Sequence, residues 1–154
     1  MNIAEITGKD YIISDLKAKT KKAVLTELSG VFSNSDVMVK SEAMVEVLLE
    51  REKLGSTGIG EGIAIPHGKL QGLNNLIASI GRSKGGIDFE SLDGKPVHIF
   101  FLLMAPENSA GQHLKALAKI SRMLKDDNFK RDLLEADSKE DIYNIVKEKD
   151  GTLV

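Results

Sequence analysis

Val97-His98-Ile99-Phe100-Phe101-Leu102-Leu103-Met104 is nearly continuous in apolar side chains where a half-exposed strand would alternate. A strand of this composition is covered on both faces, because water on either side would meet a row of large hydrocarbons. It lies within a strand expected from Pro96 to Met104, and Leu76 to Ser83 reads as the other main strand. The apolar run from Ile99 to Ala105 falls far short of the roughly 20 residues that span a bilayer, so no membrane insertion is expected.

Helical periodicity flanks these strands. From Lys17 to Ser33, the residues Val24, Leu28, Val31 and Phe32 recur at helical spacing, with Gly30 a flaw in the pattern. Ser41 reads as the N-cap of a second helix, whose Met44, Val45, Leu48 and Leu49 form one stripe. Gly55 should stop it, as a residue able to take the left-handed conformation just past a helix end. Further helices are expected at Ala110 to Lys125, Asn128 to Glu135 and Ser138 to Lys147, the last opened by a Ser138–Asp141 capping pair. Helices on both sides of the strands in sequence predict an α/β domain of three layers. Its mixed β-sheet would carry helices on both faces, in a single domain over residues 1–154.

Composition narrows the chemistry. Hydrophobic residues make up 42% and charged residues 29%, the balance of a soluble globular protein. Without cysteine there is no disulfide framework, thiolate catalysis or cysteine-based zinc site, and a reducing cytoplasm is the simplest compartment. Met1-Asn2-Ile3-Ala4-Glu5-Ile6 lacks the basic-then-apolar pattern of a signal peptide. The net charge of −2 and the lack of a basic stripe argue against nucleic acid as the main partner. Lys17, Lys19, Lys21 and Lys22 are the one basic cluster, read as the wet face of the first helix.

The chemistry concentrates in Gly55-Ser56-Thr57-Gly58-Ile59-Gly60-Glu61-Gly62-Ile63-Ala64-Ile65-Pro66-His67-Gly68-Lys69. Ile63-Ala64-Ile65 reads as a short strand ended by Pro66, which cannot donate to a ladder and so delivers His67 at the strand end. Imidazole sits between charge states near neutrality and can serve as nucleophile, base or ligand. Gly58, Gly60, Gly62 and Gly68 allow backbone N–H groups to crowd round an anion, and Glu61 lies inside that loop. Two nucleotide-binding patterns fail on spacing. Ile63 stands where the dinucleotide fingerprint needs its third glycine, and five residues rather than four separate Gly62 from Gly68-Lys69. His67, His98 and His113 have separations that match no compact zinc site, so no metal is expected. No other cofactor is expected.

Two further residues have both a bland and a functional reading. His113 lies in a helix's first turn in line with Leu117, Ile120 and Leu124. It is either a histidine bordering the core or a group at a helix N-terminus, where the dipole favours an anion. Arg51, in Glu50-Arg51-Glu52-Lys53, is either an exposed helix charge pairing with glutamates or a guanidinium fork near the glycine loop. His98 lacks such a context and reads as structural.

These pieces together resemble the fructose–mannitol type IIA domains of the bacterial phosphoenolpyruvate-dependent phosphotransferase system. The resemblance rests on Leu49-Glu50-Arg51-Glu52, Gly55 to Gly60, Gly62-Ile63-Ala64-Ile65-Pro66-His67, and His113-Leu114 opening a helix. Within the family, Arg51 to Leu70 looks most like the stand-alone nitrogen-regulatory IIA proteins, and Glu61 is a variation inside the loop. The resemblance implies a phosphocarrier that accepts a phosphoryl group on Nε2 of His67 from HPr or a nitrogen-branch paralogue. Arg51 and His113 then carry over as neighbours that stabilise and orient that group, and Glu61 as a residue tuning the loop. It also implies either a regulatory role set by phosphorylation state or a relay to the cysteine of a separate IIB protein in sugar uptake. Partners must reach His67, so an apolar rim of Ile59, Ile63 and Leu70 is expected.

Overall fold

The computed structural model describes residues 2–33, 37 and 39–152. Its strands are β1 (Ile12–Ile13), β2 (Gly58–Gly60), β3 (Ile63–Ala64), β4 (His67–Leu70), β5 (Ile77–Ile87) and β6 (Val97–Pro106). They form one mixed sheet in the order β1-β5-β6-β3-β2, with β4 also paired to β6. The helices are α1 (Ile3–Ile6), α2 (Lys21–Gly30), α3 (Ser41–Lys53), α4 (Ala110–Leu124), α5 (Asp127–Glu135) and α6 (Lys139–Thr152).

Strand β6 is buried almost throughout, and its alternate residues serve two cores. Phe100, Leu102 and Met104 pack with Val24, Leu25 and Leu28 of α2 and Met44 and Leu48 of α3. Ile99 and Phe101 pack on the other face with Ile120 and Met123 of α4, Phe129 of α5, and Ile142 and Val146 of α6. Each large side chain so buried contributes roughly 1.5–3 kcal/mol from hydrocarbon leaving water. The three-layer arrangement follows from that double burial. Asp150 closes the α4–α6 layer at its far side. Its buried carboxylate accepts from Ile3 N (3.1 Å) and Ala4 N (2.7 Å) and pairs with Lys119 Nζ at 3.1 Å.

Several local expectations are corrected. The first helix starts at Lys21 rather than Lys17, capped by Thr20 Oγ1, which accepts from Ala23 N at 3.3 Å. Glu27 holds the preceding segment outside the helix by accepting from Lys17 N and Ala18 N. Gly30 is the last residue of α2, not an interruption within it. The basic cluster divides, since Lys21 is drawn inward with its Nζ 3.0 Å from Glu52 Oε1 and 4.9 Å from the Phe89 ring centre. Ser41 is the first helical residue rather than the cap, and Lys40 precedes it with no side-chain cap. Ser138 Oγ accepts from Asp141 N at 3.1 Å, but the Asp141 carboxylate accepts from Asp137 N rather than from Ser138 N, so the capping box is only half formed.

The largest correction concerns Pro66. The chain does not leave the sheet there, because β3 and β4 both run parallel to β6 and Pro66 O accepts from Leu103 N at 2.9 Å. Proline lacks an N–H, but its carbonyl still faces β6, so pairing continues past it. His67 therefore opens a second strand segment opposite Leu103 instead of standing at a strand end.

The next residue fixes how closely α3 approaches that segment. A Cβ on Gly68 would lie 2.7 Å from Val47 Cγ1, nearer than carbon atoms can pack. Gly68→Ala should destabilise the fold by about 1–3 kcal/mol through overpacking. Most of that loss should be recovered in the Val47→Ala, Gly68→Ala double variant, as read by urea unfolding.

Candidate functional site

His67 is half-buried, with its Nδ1 2.7 Å from the carbonyl oxygen of Ile65. A carbonyl oxygen only accepts, so Nδ1 carries the hydrogen and Nε2 keeps its lone pair. That assignment makes Nε2 the nucleophilic nitrogen. The contact arises because the chain, after Ile65 and Pro66, turns the His67 ring back over its own backbone.

His113 meets His67 from the other layer. Helix α4 begins beyond Ser109, whose hydroxyl donates to Pro106 O at 2.7 Å, and His113 N donates to Ser109 O at 2.9 Å. This places His113 in the first turn, 6% exposed, with its ring centre 5.6 Å from that of His67 and the planes at 72°. Its Nε2 is buried and has no hydrogen-bond partner among the described residues, an uncommon condition for a polar atom away from water. Such an atom next to a nucleophile can receive or donate to a group that arrives on it.

Arg51 comes from the last turn of α3. Its Nη1 donates to Gly55 O at 3.0 Å, satisfying a carbonyl just past the helix end. Further guanidinium donors remain, in the planar fork that suits phosphoryl and carboxylate oxygens. Burial pushes the His67 pKa below its ordinary 6.5, and the Arg51 cation adds to that, while the Ile65 carbonyl and the Glu52 carboxylate work the other way. Burial also lowers the His113 pKa, with His67 and Lys69 contributing. Both shifts favour the neutral imidazole, the form that nucleophilic nitrogen chemistry requires.

The glycines divide into two groups. Gly68 adjoins His67 and admits α3 to the strand. Gly60 (φ +102°), Glu61 (φ +57°) and Gly62 (φ +80°) form a left-handed turn elsewhere. Gly62 O accepts from His98 N and Ile99 N, four residues back along β6 from Leu103, or about 13 Å at strand rise. The amide of Glu61 in that turn already donates to Asp93 Oδ2 at 3.0 Å. Its carboxylate reaches Lys130 Nζ at 3.4 Å. That amide of the turn is thus engaged by an acceptor of the protein itself. Gly58 is a close-approach position, where a Cβ would stand 3.0 Å from Ser91 Cα. The structure thus brings His67, His113, Arg51 and Gly68 together and leaves Gly60, Glu61 and Gly62 at the far end of the strand. His98 lies at that end too, its Nδ1 2.8 Å from Ser83 O.

The expected apolar rim is also different. Ile63 and Leu70 are buried in the two cores, and only Ile59 is exposed. Leu54, 84% exposed just past Arg51, and Leu114, 68% exposed beside His113, are the large apolar side chains next in sequence to the site. Two buried polar residues near the site, Glu52 and Thr57, were given no role in the sequence, and Lys21, read there as part of a wet helix face, pairs with Glu52. The signal for Glu52 was legible, since it follows Val45 and Leu48 by seven and four residues and so continues the buried stripe.

Residues 5–149 match the family described as the phosphoenolpyruvate-dependent sugar phosphotransferase system, EIIA 2, and the chain belongs to that family. A nitrogen regulatory protein of Bradyrhizobium diazoefficiens is 42% identical over 147 residues, covering 95% of each chain. The fructose-specific EIIABC component of Bacillus subtilis is 39% identical over 150 residues, where this chain spans 97% of its own length but 24% of that protein. The crystal structure of the nitrogen regulatory protein IIA-Ntr from Neisseria meningitidis superposes with a TM-score of 0.87 at 33% identity, covering 94% of this chain and 98% of that one.

Both imidazoles should titrate below pH 6.5 in an NMR pH series, and Arg51→Gln should move the His67 midpoint upward. The unfolded chain takes up these protons at the ordinary value while the folded chain resists, so stability should fall as pH drops below about 6.5. His113→Ala should make that fall shallower than in the wild type, measured by urea unfolding across the same range.

Proposed function

We propose that this protein is a phosphocarrier in which Nε2 of His67 accepts a phosphoryl group from the phosphohistidine of HPr or a nitrogen-branch paralogue. The single observation that carries the reading is the hydrogen bond from His67 Nδ1 to Ile65 O, which directs the lone pair to Nε2. In the transfer, Nε2 attacks phosphorus in line, the new N–P bond forms, and the bond from phosphorus to the donor's ring nitrogen breaks. Positive charge grows on the His67 ring as this happens. The Ile65 carbonyl oxygen faces the Nδ1–H and stabilises it, as its upward pull on the ring's pKa indicates. Arg51, by its charge, and the buried Nε2 of His113, by a hydrogen bond, would hold phosphoryl oxygens without reorganisation.

The product carries an added charge of roughly −1.5 to −2, enough to alter which surfaces bind beside it. The match to a nitrogen regulatory protein over 95% of both chains favours a regulatory role in the cytoplasm, exercised through phosphorylation state. The similarity to a fructose-specific component keeps a second use in view, in which His67 passes the group to the cysteine of a separate IIB protein. Onward transfer to a purified IIB domain separates the two uses.

Incubation with phosphoenolpyruvate, enzyme I and HPr, or a nitrogen-branch donor pair, should add one acid-labile phosphoryl group by intact mass. His67→Ala should show none while keeping its fold. His113→Ala and Arg51→Lys should each slow acceptance by about 10–100-fold, as expected for removal of one preorganised contact to the transferring group. A wild-type rate in either variant would remove that residue from the transfer machinery.

A further inference from the structure

Glu52 is a buried carboxylate that the transfer chemistry does not touch. Its side chain is 4% exposed, which is costly for an ionised group unless every oxygen is satisfied. Lys21 Nζ, itself 15% exposed, lies 3.0 Å from Oε1, and Thr57 N donates to the same oxygen at 3.1 Å. Thr57 Oγ1 donates to Oε2. Lys21 is also 3.7 Å from Glu90 Oε2, an exposed group that cannot substitute for Glu52 in the interior. Apolar residues in place of both Lys21 and Glu52 would cost little stability if packing were the pair's whole task, whereas removing Glu52 alone strands a buried Lys21 charge.

The bonds beyond Thr57 lead to the reactive ring. Thr57 O accepts from Ile65 N at 3.0 Å, and Ile65 O is the acceptor for His67 Nδ1 at 2.7 Å. The path is continuous: Lys21 to Glu52, Glu52 to Thr57, Thr57 to Ile65, and Ile65 to His67. Adjacent in sequence, Arg51 and Glu52 grip the two ends of the same short connection. Arg51 holds Gly55 O, and Glu52 holds both donors of Thr57.

We infer that Glu52, held by Lys21, is a positioning residue for phosphoryl acceptance: it anchors Thr57, and through the Thr57–Ile65 bond fixes the carbonyl that selects the Nδ1–H tautomer of His67. This inference rests on the phosphocarrier reading for its kinetic part alone. Loss of the anchor lets the Ile65 carbonyl wander and the Nε2–H tautomer become populated, and that tautomer has no lone pair at Nε2 to attack with. The charged groups that act on His67 are Arg51 and Glu52 from α3, and the His113 ring faces it from α4. Removing the Glu52 charge leaves Arg51 unopposed.

The test uses the full chain, with 15N-labelled imidazoles, as wild type, Glu52→Gln, Thr57→Val, and the Lys21→Met, Glu52→Gln double variant. The 15N shifts of His67 report its tautomer directly, and acceptance from phosphorylated HPr gives kcat and KM. In Glu52→Gln, His67 should show a mixed tautomer and a lower titration midpoint. Its kcat should fall about 10–100-fold with KM for the donor unchanged, the scale of a misplaced reacting group. Thr57→Val should give the same tautomer mixing in weaker form, since its backbone N–H remains. The double variant removes the stranded Lys21 charge, so it should regain stability without regaining the pure tautomer or the rate. A pure Nδ1–H tautomer in both Glu52 variants would overturn the inference, as would recovery of wild-type kcat in the double variant. If the wild type itself accepts no phosphoryl group from any donor, the phosphocarrier reading fails, while the tautomer and titration results still decide the role of Glu52.

Discussion

A central strand with no face toward water governs this molecule, because β6 can exist only if both rows of its side chains are roofed. Among the described residues two helices, α2 and α3, supply one roof, and four, α1 with α4 to α6, supply the other. The sheet order follows, since β5 and the β3–β4 segment must flank β6 to satisfy its backbone while the helices cover its side chains. The functional residues inherit their placement from this frame. Arg51 and Glu52 close the helix on one face, and His113 opens a helix on the other. His67 sits on the flanking strand between them, where residues of both layers can reach one ring.

The site is a rigid setting. The His67 ring is fixed by its own backbone, His113 is pinned by the start of α4, and Arg51 is tied to the end of its own helix. Each anchor is backbone geometry, which moves less than a side-chain network would. Leu54 and Leu114 stand exposed next in sequence to these anchors, and Arg51 and Lys69 add positive charge around the two rings.

How much of this was legible follows from which forces write themselves into local sequence. The unbroken apolar run of β6 and the helical stripes announced the layers, because burial on two faces leaves no alternation to read. Pro66 misled because its missing N–H says nothing about its carbonyl, and strand pairing on one side needs only the carbonyl there. Lys21 looked like surface for want of its partner, since an ion pair between α2 and α3 has no local signature. His67, His113 and Arg51 were identifiable from the family resemblance, and the structure brings those three together. The glycine turn was the plainest misplacement. Positive φ does shape a turn there, but the acceptor that its Glu61 amide meets, Asp93, is 32 residues away in sequence.

That engaged amide has a bearing on energetics. An amide cradle closed round a phosphoryl group would stabilise the modified protein strongly and deepen the well from which the group must leave. Here the Glu61 amide is engaged by Asp93 far from the ring, which leaves the load to a few side chains. Under the phosphocarrier reading, donor and acceptor are both imidazoles, so the forward and reverse steps begin nearly level. A sparse grip keeps them level, and traffic through His67 can then run in whichever direction the pool of charged donors dictates.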